Sequence, residues 1–270
     1  MLTGKRLLIT GVVTTDSIAW AVAERAQLHN AEVILTTFDR VRELTETAAA
    51  ALPRMPEILT LDASRSGDFS QLADALGDRR LDGALHAIAF APRAALAGDF
   101  LSADDDAIEL AFRTSTTSYA RLAGVVQQCA GPEGASLVGL DFDADGRAWP
   151  VYNWMGVCKV ALQATMRYVA RDLGPSGVRA NLVAAGPLHT RAAGGIPDFQ
   201  SLLDAYEAAP LGWDATEPGP VADAVCFLLS DMGRAISGEV LHVDGGYHSL
   251  AAPGVHAGAG RNAEVAAGQS

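Results

Sequence analysis

Short apolar runs alternate with amphipathic stretches along most of the chain. Leu7-Leu8-Ile9-Thr10 predicts a buried strand, followed by a helix from about Ser17 to Leu28. Val33-Ile34-Leu35-Thr36 predicts a second strand and Arg40 to Ala51 a second helix. Ile58 to Leu61, Gly83 to Ile88, Ser136 to Leu140 and Val178 to Val183 continue the series. A strand apolar on successive residues is buried on both sheet faces, as in parallel sheets covered by crossover helices. The pattern therefore predicts an α/β fold: a single-domain, Rossmann-type, doubly wound parallel sheet with helices on both faces. No internal linker rich in Pro, Gly or Ser interrupts it, so one domain is expected over residues 1–250. From Ala251 the chain is rich in Ala and Gly without periodicity, and 251–270 is expected to be a disordered tail.

Composition narrows the functions open to such a fold. The 270 residues carry a formal charge of −12, which argues against a general nucleic-acid or anionic-membrane surface. Three cysteines without C-x-x-C spacing (Cys129, Cys158, Cys226) fit free thiols in a reducing compartment. No segment reads as a signal peptide or a membrane span, so a cytoplasmic enzyme is expected.

The candidate chemistry begins with Tyr152 and Lys159, seven residues apart. Seven residues are almost two helical turns, so the two side chains are expected on one helix face, about 10 Å apart along the axis. A phenol can donate to a developing oxyanion and an ammonium can bind sugar hydroxyls, which suits hydride transfer. Taken alone, the pair favours the plainer reading of a half-buried Tyr and a surface Lys on an ordinary amphipathic helix.

The turn after the first strand, Thr10 to Ala19, has Gly11 for a tight turn and Ser17 to cap the next helix. The helix start would offer backbone N–H groups to a pyrophosphate. No G-x-G-x-x-G is present. Asp62 could accept from an adenine amino group or simply cap a helix, and Phe38 could stack on the adenine or fill the core. Asp39 beside the single Arg40 favours NAD(H), because a 2′-phosphate would want several basic residues there.

Asp141-Phe142-Asp143-Ala144-Asp145-Gly146 opens like a calcium loop, but the twelfth position is Tyr152 where a bidentate Glu is needed. No metal is expected, and the acidic residues are expected to keep a loop solvated beside the active site.

With the turn, the Asp and the Tyr/Lys pair in this order, the chain resembles the NADH-dependent enoyl-acyl-carrier-protein reductases of the short-chain dehydrogenase/reductase superfamily, most of all their isoniazid-target type. The resemblance runs from Gly4 to about His248. It rests on Thr37-Phe38-Asp39-Arg40, Leu61-Asp62, His86 to Pro92, Gly139 to Asp143, Tyr152-Asn153-Trp154-Met155, Asn181 to Pro187 and Val243 to Gly246. Ordinary short-chain dehydrogenases place the Lys four residues after the Tyr; the enoyl reductases place it seven after.

The resemblance implies NADH-dependent reduction of enoyl thioesters in fatty acid biosynthesis, carried on acyl carrier protein or coenzyme A. It implies that Tyr152, Lys159 and Phe142 are catalytic. Gly11, Ser17 and Ile18 would hold the pyrophosphate region, Phe38 would flank the adenine, and Asp62 with Ala63 would bind it. Ile88 and Ala89 would line the adenosine ribose, and Lys159 would bind the nicotinamide ribose. Leu188 and Thr190 would contact the nicotinamide amide and the phosphates, and Met155 would line an acyl pocket beside Tyr152. A substrate lid is expected at about 190–212, and a homotetramer by resemblance.

The chain also departs from the pattern. Ala87 and Ala89 stand where the nearest members have Ser and Gly. One extra residue lies between Phe142 and Tyr152, and the segment from Arg191 to Ala209 is short. Phe112-Arg113-Thr114-Ser115 has no Asn, unlike ordinary dehydrogenases. A short-chain ketoreductase and a catalytically silent NAD-binding paralogue remain the alternatives. Arg147, His189 and Arg191 are the cations expected near the mouth.

Overall fold

The computed structural model describes residues 1–250; the segment expected as a tail lies outside them. In chain order the first half runs β1 (Arg6–Ile9), α1 (Ile18–Leu28), β2 (Glu32–Thr37), α2 (Arg42–Ala50), β3 (Glu57–Thr60), α3 (Ser66–Leu76) and β4 (Gly83–His86). Then come α4 (Arg93–Leu96), α5 (Asp105–Phe112), α6 (Ser118–Cys129), β5 (Ala135–Asp141), α7 (Asn153–Leu173), β6 (Val178–Ala185), α8 (Phe199–Tyr206), α9 (Gly219–Leu229) and β7 (Val240–Val243).

The strands form one parallel sheet in the order β3-β2-β1-β4-β5-β6-β7. Because strand side chains alternate between faces, each apolar run feeds two cores. Leu7, Ile9, Val33, Leu35, Leu85, Val138 and Val183 pack with α1, α2 and α9 on one face. Leu8, Ile34, Ala84, Leu137, Ala180 and Leu182 pack with α3, α6 and α7 on the other. Each fully buried Leu or Ile contributes about 1.5–3 kcal/mol, so the double-sided runs set the register firmly. The expected doubly wound parallel sheet is thus observed.

Three details differ from expectation. The second helix is preceded by a 3-10 turn at Asp39–Val41. The edge strand β7, which the pattern does not single out, is half-buried throughout, with His242 interrupting its apolar residues. Between α5 and α6 the chain makes a π-helical turn, Arg113–Thr117. There the Ser115 hydroxyl accepts from the Phe90 N–H at 2.9 Å and donates to the Phe90 carbonyl at 3.0 Å, fixing the chain beyond β4. Among the described residues no helix is long and apolar enough to cross a membrane.

The strand order reverses between β1 and β4. In open parallel sheets the crevice at the carboxyl ends of strands on either side of such a reversal is where ligands bind. A third apolar cluster lies over these strand ends, contributed by the loop after β5, the start of α7 and α8.

Candidate active site

Two cavities open at the carboxyl ends of the strands and share Gly11, Ala87, Ile88 and Ala89, so they form one cleft. Gly11 makes the turn after β1 with φ +85°, and a Cβ there would strike the carbonyl oxygen of Ala87. The loops after β1 and β4 are therefore in backbone contact at the floor of the cleft. Ser17 caps α1: its hydroxyl accepts from the Trp20 N–H at 3.2 Å and donates to the Thr14 carbonyl at 2.8 Å. Ile18 follows it into the cleft, where the first N–H groups of the helix have no carbonyl behind them to accept.

One end of the cleft, about 640 Å³, is lined by Phe38, Asp62, Ala63, Ile88 and Ala89. The Arg40 guanidinium lies 5.6 Å from the centre of the Phe38 ring. The Asp62 carboxylate already accepts from the backbone and hydroxyl of Ser64, at 3.0 and 2.6 Å. Asp62 thus organises its own turn while lining the cavity; the two readings of this residue are compatible.

The other end, about 570 Å³, is lined by Phe142, Tyr152, Met155, Lys159, Leu188 and Thr190. Phe142 leaves the end of β5, and its ring lies 5.0 Å from that of Tyr152. Tyr152 differs from the expectation of a shared helix face. It occupies the N-cap of α7 and not a helical position, and Asn153 opens the helix at φ +34°, with its amide donating to the Gly98 carbonyl. Lys159, in the second turn, is buried, and its ammonium donates to the Leu140 carbonyl at 2.8 Å. The two groups still face one cleft, one from the helix end and one from its flank.

Burial decides the electrostatics of this end. It pushes the Tyr152 phenol well above its ordinary value, helped by the nearby Asp141 charge, so the hydroxyl stays protonated and remains a donor. It pulls Lys159 below the usual amine range, while Asp141 opposes the fall. Asp141 itself is pushed up to about 6, by burial above all, with Lys159 and a hydrogen bond from Gln163 at 2.8 Å holding it down. The Asp141 Oδ1 is buried without a hydrogen-bond partner among the described residues.

The acidic loop is not solvated as expected. Asp141 and Asp143 are buried, and only Asp145 of the three is exposed. Their partners Gln163 and His242 come from distant parts of the chain, where a local motif cannot show them. Nor do the three cations expected near the mouth act together. Arg147 turns inward to Asp143 and to the His248 carbonyl. His189 packs edge-on against Phe199, and Arg191 lines the cleft.

Sequence reasoning missed Asp141 as a cleft residue, because it was absorbed into the failed calcium pattern. An acid at the end of a strand apolar on both faces, next to a site aromatic, is the signal that could have found it. Within the segment expected as a substrate lid, sequence reasoning did not single out Ile196, Phe199 and Leu202, which line the cleft from α8 and the residues before it.

The cleft fits an extended dinucleotide: tight glycine turn and helix start at its middle, an aromatic and a carboxylate at one end, a buried amine and a phenol at the other. Comparison with known proteins agrees. A family model described as enoyl-(acyl carrier protein) reductase matches residues 11–248. The chain is similar to the NADH enoyl-acyl-carrier-protein reductase of Mycolicibacterium smegmatis, at 41% identity over 91% of this chain and 97% of that one. The enzyme of the same name from Mycobacterium avium is 38% identical over 91% of this chain and 97% of its own. The Escherichia coli enzyme FabI, also named as using NADH, is 36% identical over 93% of this chain and 96% of its own.

Proposed function

The chain belongs to the enoyl-(acyl carrier protein) reductase family, and from that membership we infer how its cleft works. It is an NADH-dependent enoyl-acyl-carrier-protein reductase of fatty acid biosynthesis, acting on the trans-2 double bond of enoyl thioesters. The observation that carries the reading is the meeting of Tyr152, Lys159 and Phe142 in one mainly apolar end of the cleft.

Gly11, Ser17 and Ile18 hold the pyrophosphate with backbone N–H groups at the start of α1. Phe38 and Asp62 with Ala63 receive the adenine, and Ile88 and Ala89 the adenosine ribose. Leu188 and Thr190 meet the nicotinamide amide and phosphates. Lys159 binds the nicotinamide ribose hydroxyls, fixed by the Leu140 carbonyl, while the Asp141 charge opposes the fall that burial imposes on its pKa. When bound there, NADH would supply the hydride for the β-carbon. Charge then grows on the thioester oxygen, and the Tyr152 hydroxyl donates to it. A preorganised donor in a site shielded from water contributes on the order of 3 kcal/mol. Phe142 packs against the phenol and walls the reacting carbons, Met155 lines the acyl pocket, and water protonates the α-carbon.

The short lid over residues 190–212 suits shorter acyl chains than the longest biological ones. Falling rates from octenoyl to eicosenoyl thioesters are expected; rising rates would refute it. The donor is acyl carrier protein or coenzyme A, and a cytoplasmic homotetramer is the expected assembly, which sedimentation would test.

The reaction itself is tested with NADH deuterated at its transferring position. Deuterium should appear at the β-carbon of a saturated thioester. Transfer of deuterium only to a 3-ketoacyl thioester supplied in parallel, onto the carbon that becomes hydroxyl-bearing, would instead mark a ketoreductase.

A further inference from the structure

Beside the cleft lies a dense group of titratable side chains that the mechanism above does not use. Asp143 follows Phe142 but lines neither cavity; its buried carboxylate faces β7 and the chain beyond it. Arg147 Nη1 lies 3.0 Å from that carboxylate and His242 Nε2 3.7 Å. Arg147 also donates to the His248 carbonyl at 2.6 Å. The His248 ring stacks on His242 at 4.0 Å, and its Nδ1 and backbone N–H contact the buried Asp244. From β5, Asp141 adds a negative charge near His242, and from α8 the Tyr206 phenol lies near both Asp143 and Asp244.

This group sits where position matters. Between β5 and α7 the chain has no helix or strand to hold it, yet it carries both Phe142 and Tyr152. Its shape is set by side chains. Trp149 Nε1 donates to the Asp143 carbonyl at 2.8 Å, and the Tyr152 N–H donates to the Trp149 carbonyl at 3.3 Å. The Phe142 ring lies 5.1 Å from Trp149 and 5.0 Å from Tyr152. Anchoring Asp143 therefore anchors the chain on both sides of it. A carboxylate this withdrawn from water loses much if one cationic partner is removed.

We propose that Asp143 is a positioning residue for Tyr152 and Phe142, held by Arg147 and by the charged form of His242, so that turnover and not cofactor binding depends on this clamp. The inference rests on the enoyl reductase reading. Contact with Asp143 raises His242 above the ordinary imidazole value, against burial and with help from the Asp244 and Asp141 charges. The same contact, with Arg147, holds Asp143 below the usual carboxylate range. The clamp is thus complete at lower pH and loses its imidazolium as pH rises through the raised His242 value. Asp141, inside the cleft and pushed up to about 6, gains its proton on the acidic side of the same range, and its charge is near enough to His242 to help raise it.

The test uses the full chain with His242→Gln, neutral at every pH, and Asp143→Asn. Steady-state kinetics with NADH and an enoyl thioester are taken from mildly acidic to alkaline pH, and hydrogen exchange is followed in 142–152. Asp143→Asn should lower kcat roughly ten- to a hundredfold, as a displaced catalytic group does, with KM for NADH unchanged. Exchange in 142–152 should quicken. His242→Gln should lower kcat at acidic pH to the wild-type alkaline level and abolish the alkaline fall. A wild-type pH profile in His242→Gln, or an unchanged kcat in Asp143→Asn, overturns the proposal. Should Asp143→Asn not fold, the His242→Gln profile decides. Should the wild type bind NADH but reduce no enoyl thioester, the parent reading fails, and exchange in 142–152 decides the clamp: unchanged exchange overturns it.

Discussion

Tyr152 and Lys159 reach one cleft from two parts of the same helix. Tyr152 caps its N-terminus, and Lys159 is buried in its second turn with its ammonium on the Leu140 carbonyl at 2.8 Å. The phenol is free to meet substrate while the amine is held by protein.

That division of labour predicts how Tyr152→Phe behaves. Removing the hydroxyl leaves the ring packed on Phe142 but deletes the donor to the developing oxyanion. We expect kcat to fall on the order of a hundredfold with NADH affinity unchanged. A titration of NADH fluorescence and a rate measurement on the same protein check both halves.

Lys159→Ala should instead weaken NADH binding, because the proposed mechanism has it position the cofactor. Asp141 opposes the fall in the Lys159 pKa, so Asp141→Asn lowers that value further. A cation with a lower pKa is lost earlier as pH rises. NADH affinity in Asp141→Asn should therefore decline at lower pH than in the wild type. Superimposable affinity profiles would contradict the coupling.

Gly11→Ala tests the floor of the cleft. The position has φ +85°, and the new Cβ would meet the Ala87 carbonyl. The strain alone costs about 1–3 kcal/mol. A lowered Tm together with weakened NADH binding is expected, because the two loops that part are those flanking the dinucleotide.

His86 predicts an acid liability. It is fully buried at the end of β4, with Nε2 2.8 Å from the Ser118 hydroxyl. Burial, and then the Lys159 charge, lowers its pKa to about 3. The unfolded chain takes up this proton near the ordinary imidazole value and the folded chain does not. Stability from this group is therefore present above about pH 6.5 and lost as pH falls towards 3, by roughly 1.4 kcal/mol per pH unit. Buried Asp141, pushed up to about 6, works the other way: stability rises as pH falls from about 6 towards its unfolded value. The difference in slope between the wild type and His86→Gln, from urea unfolding at several pH values, isolates the histidine.

Much of the architecture was legible in the sequence because the sheet is buried on both faces. Leu7, Leu8 and Ile9 had to serve two cores at once, and a continuous apolar run says so without any partner being known. β7 was harder to read because His242 breaks its short run and its residues are only half-buried. In the cleft, Gly11, Ser17 and the Tyr152–Lys159 spacing were visible as local chemistry. The N-cap position of Tyr152 was not, because spacing does not tell where Asn153 starts the helix. The acidic run misled for a different reason. Charge in a sequence reads as solvated, whereas Asp141 and Asp143 are buried against Gln163, Arg147 and His242, two of which lie far along the chain. The π-helical turn at Arg113–Thr117 carries no signature short of the fold that makes it.

The most direct test of the central claim is NADH oxidation by the purified chain with crotonyl or octenoyl thioester and, in parallel, with acetoacetyl thioester. Rapid oxidation with the enoyl thioesters and none with the ketoacyl thioester is the result expected of Tyr152 and Lys159 at this spacing. Oxidation with the acetoacetyl thioester alone would contradict it.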